Sequence, residues 1–393
     1  MDYYQDIFSK RPYLTNLPIE QVPSPAFVID LQALERNLKI LSDVQARSGA
    51  TILLALKGFA NWCTFPLVRQ HLKGCCASGV WEARLAKEEF KGEVHTFAPA
   101  FSDADIEELL PITDHIVFNS FRQLHKFLPA IQNCGRRIEV GLRCNPEHSE
   151  TEVEVYNPCA PGSRLGIRLE EFDGQSLDGV TGLHFHTLCQ KGSDALWRTA
   201  MAFDARFGKY LKNMKWVNFG GGHHITQPDY DIELLIKTIK FFQDKYGLKV
   251  YLEPGEAIGI NTGSLVTTVQ EIVGREIKSA IVDVSATCHM PDVLEMPYRP
   301  EIRGAGLPGE KAFTYRFGGP SCLAGDVIGE YSFDQPLQPD QRLLFDDMTH
   351  YTMVKTSTFN GIKHPAICTW DSVAKKLVVV RQFSYEDYRN RLS

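Results

Sequence analysis

Apolar runs alternate with amphipathic segments between residues 51 and 254 of the chain. Eight of the apolar runs are strand-like: 51–57, 74–78, 93–98, 115–120, 138–144, 180–187, 216–221 and 249–254. Most of the segments between them contain a stretch such as 231–246, in which apolar side chains recur at helical spacing. Eight strands alternating with helices predict a (β/α)8 TIM barrel. A doubly wound sheet is the competing fold, but no G-x-G-x-x-G motif follows the first strand.

The regions on either side of this alternation have a different pattern. Residues 26–30 predict a further strand, and a helix with one apolar face follows it. After about residue 265, short apolar runs are separated by clusters of Gly, Pro and Asp, which is typical of an all-β domain. We therefore predict an α/β chain with a barrel domain over 35–265. Residues 1–34 and 266–393 would form the second, β-domain.

The composition indicates a soluble globular protein and argues against nucleic-acid-binding and membrane proteins. The 393 residues are 44% hydrophobic and 23% charged, which is typical of a soluble globular protein, and the formal net charge of −6 argues against nucleic-acid binding. The chain contains neither a signal peptide pattern nor an apolar run long enough to span a membrane. Its ten cysteines form no C-x-x-C pair, so we expect reduced thiols, no metal site and a cytoplasmic location.

Lys57 ends the first strand-like run and precedes Gly58. An ammonium group at the mouth of a buried strand is costly unless it is paired or neutralised. The placement has a chemical reason if the amine forms a Schiff base with an aldehyde cofactor. An ordinary lysine at a strand end is the alternative.

Three further groups end strands of the predicted barrel, and the carboxyl ends of barrel strands face the active site. His186 ends strand six, a triple glycine at 220–222 follows strand seven, and Glu253 ends strand eight. Glycine loops after strands seven and eight commonly bind phosphate, although a triple glycine can also be only a loop. With Lys57, these features indicate pyridoxal 5'-phosphate. Glu253 would hold the pyridine nitrogen and His186 would stack on the ring, unless it is a core histidine like His184.

Several separate motifs carry a family resemblance. They are ALKG at 55–58, CCASGVWE at 75–82, GLHFHT at 182–187, GGG at 220–222, EPGE at 253–256 and GGPSCLAGD at 318–326. Over residues 25–360 the chain resembles the alanine-racemase-fold decarboxylases, which include ornithine, diaminopimelate and carboxynorspermidine decarboxylases. The resemblance implies a barrel with a C-terminal β-domain that recruits the first strand. It also implies a homodimer with shared active sites.

The resemblance also implies roles for individual residues. Those expected to bind the cofactor are Lys57, His186, Gly220, Gly221, Gly222, Glu253, Gly255 and Tyr351. Lys57 and Cys322 would be the catalytic residues. Cys322, donated by the second subunit, would return a proton to the substrate carbon, a step that suits a thiol whose unperturbed pKa is about 8.5.

Departures from the ornithine and diaminopimelate pattern indicate the substrate. Glu256 stands where those enzymes usually have arginine, and Asp326 lies further from Cys322 than in ornithine decarboxylase. Both features, with HMPDVLEMPYRP at 289–300, are similar to carboxynorspermidine/carboxyspermidine decarboxylases. Their substrates carry a polyamine tail with two ammonium groups. We expect Glu256, Asp292 and Asp326 to bind that tail, and Glu295 to be a surface acid.

Three alternatives remain open from the sequence. The first is a diaminopimelate decarboxylase or another basic amino-acid decarboxylase of this fold. Diaminopimelate would need arginine for its distal carboxylate, and Glu256 counts against that substrate. An amino-acid racemase would use a tyrosine as second base in place of the Cys322 loop. A non-catalytic pyridoxal-phosphate carrier would lack the β-domain. The sequence does not distinguish carboxynorspermidine from the one-carbon-longer carboxyspermidine, because one methylene is worth only about 1–3 kcal/mol in a pocket.

Overall fold

A computed structural model describes residues 13–151, 154–274 and 276–393. The chain divides into two compact units. One runs from Arg36 to Ile258, and the other combines the described residues up to Glu35 with Gly259–Ser393. The first helix, α1 (Leu31–Ser48), contributes residues to both units.

The unit from Arg36 to Ile258 contains a closed barrel of eight parallel strands. In chain order these are β2 (Thr51–Ala55), β3 (Gly74–Ala77), β4 (Glu93–Phe97), β5 (His115–Phe118), β6 (Glu139–Arg143), β7 (Gly182–His184), β8 (Trp216–Asn218) and β9 (Lys249–Leu252). Its helices are α2 (Phe65–Val68), α3 (Val80–Leu85), α4 (Asp103–Leu109), α5 (Phe121–Asn133), α6 (Ser193–Leu211), α7 (Ile232–Tyr246) and the first residues of α8 (Glu256–Gly259). The predicted (β/α)8 barrel is confirmed.

β2 and β5 are buried along their whole length, as expected for parallel strands covered by helices. The barrel strands are shorter than the apolar runs that predicted them. The first barrel strand ends at Ala55 and the sixth at His184, so Lys57 and His186 lie two residues beyond the strands that we expected them to end. The shift keeps both side chains at the carboxyl end of the barrel, where the loops leave the strands.

The second unit is built on an eight-stranded mixed sheet. Its strands are β1 (Ala26–Asp30), β10 (Gly263–Val273), β11 (Ser279–Val282), β12 (Phe313–Gly318), β13 (Val327–Phe333), β14 (Arg342–Asp346), β15 (Ala366–Asp371) and β16 (Lys376–Arg381). The helices are α9 (Ala286–His289), α10 (Asp292–Glu295), α11 (Tyr351–Val354) and α12 (Tyr385–Leu392). The order is β13-β12-β11-β10-β1-β15-β16, and β14 also pairs with β10.

The first strand of the chain lies inside this sheet. β1 pairs antiparallel with β10 and parallel with β15, and all five of its residues are buried. The apolar core of the unit lies along β10 to β14 and includes the buried rings of Tyr315, Phe317 and Tyr331. The C-terminal sheet domain expected from the sequence is therefore confirmed, and β1 belongs to it.

All ten cysteines are free thiols. Among the described residues, no helix is both long and apolar enough to cross a membrane.

Candidate active site

Lys57 lies in the turn after β2, half-buried among groups of the barrel. Its Nζ atom is 3.4 Å from Nε2 of His186. Burial lowers the pKa of Lys57, and the nearby guanidinium of Arg143 lowers it further, against the opposing effects of Cys76 and Glu253. An amine with a lowered pKa is more often uncharged at neutral pH, which is the form that attacks an aldehyde.

His186 is held in one orientation by the glycine loop. The Gly221 N–H donates to Nδ1 of the ring over 2.9 Å. Burial lowers the pKa of His186 well below its usual range, and the neighbouring Lys57 adds to the effect. The ring is therefore neutral, with its proton on Nε2, the nitrogen that faces Lys57.

The triple glycine after β8 is required because the chain passes very close to its neighbours. A Cβ atom on Gly221 would lie 2.1 Å from the Glu253 carbonyl oxygen, and one on Gly222 would lie 1.8 Å from the Leu188 carbonyl oxygen. Gly220 and Gly222 also have positive φ angles of +69° and +85°. Only glycine can occupy these positions without moving the backbone.

Two of the three glycine amides already have partners inside the barrel. The Gly220 N–H donates to the Asn218 side chain over 2.8 Å, and the Gly221 N–H donates to His186. The sequence predicted these glycines as amide donors to phosphate. The Gly220 and Gly221 amides hold the Asn218 and His186 side chains in the structure, and phosphate binding by this loop stays a prediction.

Glu253 follows β9 and is an anion held by two side chains. Nδ2 of Asn218 donates to Oε1 over 2.6 Å, and Nε2 of His184 lies 3.3 Å from Oε2. Burial on its own would raise the pKa of Glu253, but the charge and hydrogen bond of His184, with His95 and Asn218, lower it to about 2. Glu253 is therefore ionised throughout the neutral range.

Glu256 lies three residues further on, with its side chain only 13% exposed. Its Oε1 accepts a hydrogen bond from Nε2 of Gln190 over 3.0 Å, and its Oε2 is 3.2 Å from Nε2 of His224. Gly255, between Glu253 and Glu256, is also sterically constrained, since an added Cβ would lie 3.0 Å from the Ala55 carbonyl oxygen. The loop after β9 thus packs tightly against the end of β2, next to Lys57.

The other predicted site residues belong to the sheet unit. Cys322 is exposed in the loop between β12 and β13, and Asp326 is buried at the base of that loop. Asp292 begins α10 and forms an ion pair with Lys355, which also contacts Glu295 over 2.5 Å. Tyr351 begins α11 and is half-buried.

Three residues that organise the barrel site are not predicted by the sequence. His184, which the sequence predicts as a core histidine, contacts Glu253. Asn218 also binds Glu253, and Arg143 donates to the His186 carbonyl oxygen over 2.9 Å. The alternation of a strand could have identified His184, because it is two residues from His186 and both side chains point to the same face. No local pattern marks Asn218 or Arg143.

These barrel residues suit pyridoxal 5'-phosphate. Lys57 offers an amine with a lowered pKa, His186 offers a neutral flat ring, and Glu253 offers a buried anion. The glycines after β8 lie so close to neighbouring backbone that any side chain there would collide with it. A lysine, a fixed carboxylate and a glycine loop at the carboxyl end of a parallel barrel define the class of pyridoxal-phosphate enzymes.

Comparisons with known proteins identify the family within that class. Residues 26–349 match the family described as pyridoxal-dependent decarboxylase, C-terminal sheet domain. The chain belongs to this family, and the predicted decarboxylase activity and pyridoxal cofactor are confirmed.

Two curated relatives have the same identity to the chain. A carboxynorspermidine/carboxyspermidine decarboxylase from Campylobacter jejuni is 46% identical over 95% of this chain and 99% of the relative. A carboxyaminopropylagmatine decarboxylase from Synechocystis is 46% identical over 96% of this chain and 98% of the relative. A crystal structure of carboxynorspermidine decarboxylase from Campylobacter jejuni, complexed with norspermidine, has a TM-score of 0.88 and 44% identity. That match covers 94% of this chain and 100% of the other.

Proposed function

We propose that this chain decarboxylates carboxynorspermidine and carboxyspermidine, which yields norspermidine and spermidine in polyamine biosynthesis. The observation that carries the proposal is Glu256, a largely buried carboxylate three residues after Glu253. An acid at this position attracts the ammonium groups of a polyamine tail. The relative and the solved structure named for carboxynorspermidine decarboxylation support the same substrate class.

A diaminopimelate substrate fits the barrel less well. Its far end carries a carboxylate, which would be repelled by Glu256 and would need a cation there. Glu256 accepts a hydrogen bond from the Gln190 amide and lies 3.2 Å from Nε2 of His224. The Gln190 amide is neutral and does not offset the repulsion between two carboxylates. The tail of a polyamine instead brings the positive charge with it.

Each barrel residue would perform one step. When bound, pyridoxal phosphate supplies an aldehyde that bonds to amines and a pyridine ring that accepts the electron pair left on the substrate when carbon dioxide departs. Lys57 would hold the aldehyde and give it up to the substrate amine. His186, fixed by Gly221, would cover one face of the ring. Glu253 would keep a proton on the ring nitrogen, because its carboxylate is ionised and held by Asn218 and His184.

We propose that the remaining cofactor and catalytic residues act as follows. Gly222 and Gly255 would contact the phosphate through their amides and Tyr351 through its hydroxyl, while Gly220 and Gly221 shape the loop. Cys322 would return the proton to the substrate carbon: its S–H bond breaks, a C–H bond forms with the electron pair left by carbon dioxide, and water reprotonates the thiolate. In a homodimer with shared sites, Cys322 would come from the partner subunit.

One further predicted ligand of the tail belongs to the sheet unit. Asp292 stays a predicted tail ligand, although its charge is already shared with Lys355. The same role was predicted for Asp326. A cytoplasmic location agrees with ten free thiols, because disulfides are rare there.

Carboxyaminopropylagmatine is the second candidate substrate, because the Synechocystis relative named for it is also 46% identical. Its tail would end in a guanidinium, which prefers to meet both oxygens of a carboxylate at once. Gln190 and His224 each contact one oxygen of Glu256. An ammonium can bind a single carboxylate oxygen, so a carboxylate whose two oxygens already have different partners favours the polyamine acids.

The test is a comparison of four acids with the purified holoenzyme: carboxynorspermidine, carboxyspermidine, carboxyaminopropylagmatine and meso-diaminopimelate. We expect carbon dioxide release with the highest kcat/KM for the first two. A higher kcat/KM for carboxyaminopropylagmatine would transfer the assignment to the second candidate. A higher value for diaminopimelate, or no release from any acid, would reject the proposal.

The Glu256→Gln variant tests the observation itself. A hydrogen bond to a charged group contributes about 1.5–3 kcal/mol, so KM for the preferred acid should rise roughly ten- to a hundred-fold. Cofactor affinity should stay within about two-fold, because Glu256 has no cofactor role in the proposal. Weaker cofactor binding with an unchanged KM would instead assign Glu256 to the cofactor.

A further inference from the structure

The loop that carries Cys322 has an exposed tip and a buried base. Residues 319–326 connect β12 to β13, and we call them the Cys322 loop. At its tip, Cys322 is exposed and Leu323 is 45% exposed. At its base, Asp326 is only 4% exposed. A buried carboxylate is costly unless its oxygens accept hydrogen bonds, so its partners reveal its task.

Both oxygens of Asp326 accept hydrogen bonds from protein donors. Oδ2 accepts from Oγ of Ser285 at 2.8 Å and from Oγ of Ser321 at 2.6 Å. The Ser321 N–H points to the same oxygen at 3.3 Å, and the Thr287 N–H lies 3.3 Å from Oδ1. The donors come from the start of α9 and from the Cys322 loop itself. Asp326 therefore ties the residue before Cys322 to a helix of the sheet unit.

Two further contacts fix the same loop. The Cys322 N–H donates to Oδ1 of Asn360 over 2.9 Å. At the start of the loop, a Cβ on Gly319 would lie 2.3 Å from Oδ2 of Asp326, so the backbone is pressed against the carboxylate. The backbone on both sides of the Cys322 thiol is thus held, while the thiol itself stays exposed.

We propose that Asp326 is a positioning residue that fixes the Cys322 thiol for proton return, and that it is not a ligand of the polyamine tail. The inference rests on the proposed function, in which Cys322 delivers the proton. A tail ammonium would have to displace serine hydroxyls from a carboxylate that is almost fully buried. If the thiol were misplaced, the proton would be taken up by pyridoxal phosphate instead of the substrate carbon. Hydrolysis would then give an aldehyde in place of the polyamine, and the amino group would be retained on the cofactor.

The experiment compares holoenzyme variants in the ratio of aldehyde to polyamine product. Asp326→Asn leaves the size of the side chain unchanged but replaces one accepting oxygen by a donor. We expect the aldehyde share to rise at least about ten-fold, as for the loss of one charge-assisted hydrogen bond, with KM changed less than about two-fold. Ser321→Ala should shift the ratio in the same direction, and Ser321→Thr, which keeps the hydroxyl, should restore it. Asp340→Asn, at an exposed turn of the same unit, is the control for removing one charge.

A double variant separates positioning from direct binding. If Asp326 acts through the thiol, Asp326→Asn should add nothing to the product ratio of Cys322→Ala. Additive effects, or a raised KM with an unchanged ratio, would identify Asp326 as a tail ligand and overturn the proposal. A normal product from Cys322→Ala would instead overturn the proton role of Cys322 in the proposed function, and this inference with it.

A second readout does not depend on turnover. Amide hydrogen exchange over residues 319–326 should be faster in Asp326→Asn and Ser321→Ala than in the parent enzyme, and unchanged in Asp340→Asn. Unchanged exchange in Asp326→Asn would mean that the carboxylate does not anchor the loop, which would overturn the proposal even if the product ratio moved.

Discussion

Replacing Gly221 by alanine should weaken cofactor binding through a steric effect that the structure quantifies. The added Cβ would lie 2.1 Å from the Glu253 carbonyl oxygen, whereas real Cβ contacts stay above 3.0 Å. The loops after β8 and β9 must therefore separate by about 1 Å, and overpacking of this kind typically costs about 1–3 kcal/mol. The displacement moves the backbone of Glu253 and the amide that holds His186.

We expect this strain to be relieved in the apoenzyme and to persist in the holoenzyme. Its cost then lowers the affinity of the protein for pyridoxal phosphate. At 1.4 kcal/mol for each factor of ten, the pyridoxal-phosphate Kd should rise about 5- to 150-fold. The assay is a titration of the apoenzyme with pyridoxal phosphate, followed by its visible absorbance. Gly162→Ala is the matched control, because a Cβ there meets no atom within 4 Å. A Gly221→Ala variant with the parent's Kd and melting temperature would refute the reasoning.

Three further predictions concern charge and assembly. Glu253 has a pKa of about 2 instead of 4.5, so its stabilising effect should be present above pH 4.5 and lost as the pH falls toward 2. Over this range the free energy of unfolding, measured in urea, should fall by roughly 3 kcal/mol more in the parent than in Glu253→Gln. Equal losses in the two proteins would contradict the ionised state of Glu253. Lys355→Met frees Asp292 of its cation and should lower KM for the polyamine acids if Asp292 binds the tail, whereas an unchanged KM would make the pair structural. Mixing Lys57→Ala subunits, which are inactive, with Cys322→Ala subunits, which form the aldehyde, should restore polyamine formation to about a quarter of the native rate. Half of the dimers are then mixed and each has one intact site; no recovery of polyamine formation would contradict shared sites.

Local sequence patterns predicted most of the barrel and the positions of its chemistry. Buried parallel strands are continuous apolar runs, so all eight were visible, and the residues just after them had to lie at one end of the barrel. This placed Lys57, His186 and Glu253 at the same end. The strand ends were overestimated by up to three residues, because apolar side chains continue into the buried turns that follow β2 and β7.

Contacts between distant segments could not be predicted in this way. Asn218 and His184 hold Glu253 from 35 and 69 residues away in the chain, and nothing in their own neighbourhoods indicates that pairing. The amides of Gly220 and Gly221 were expected to meet phosphate, yet folding gives them side-chain partners. Asp326 was expected to bind the polyamine tail, because the sequence does not reveal that its serine donors surround it.

The cofactor linkage at Lys57 is tested most directly by peptide mapping. The holoenzyme is reduced with borohydride, digested, and examined by mass spectrometry for the lysine that carries the pyridoxyl group. We predict that the label is found on Lys57 and that Lys57→Ala carries none. Label on another lysine, with Lys57 unmodified, would contradict the account.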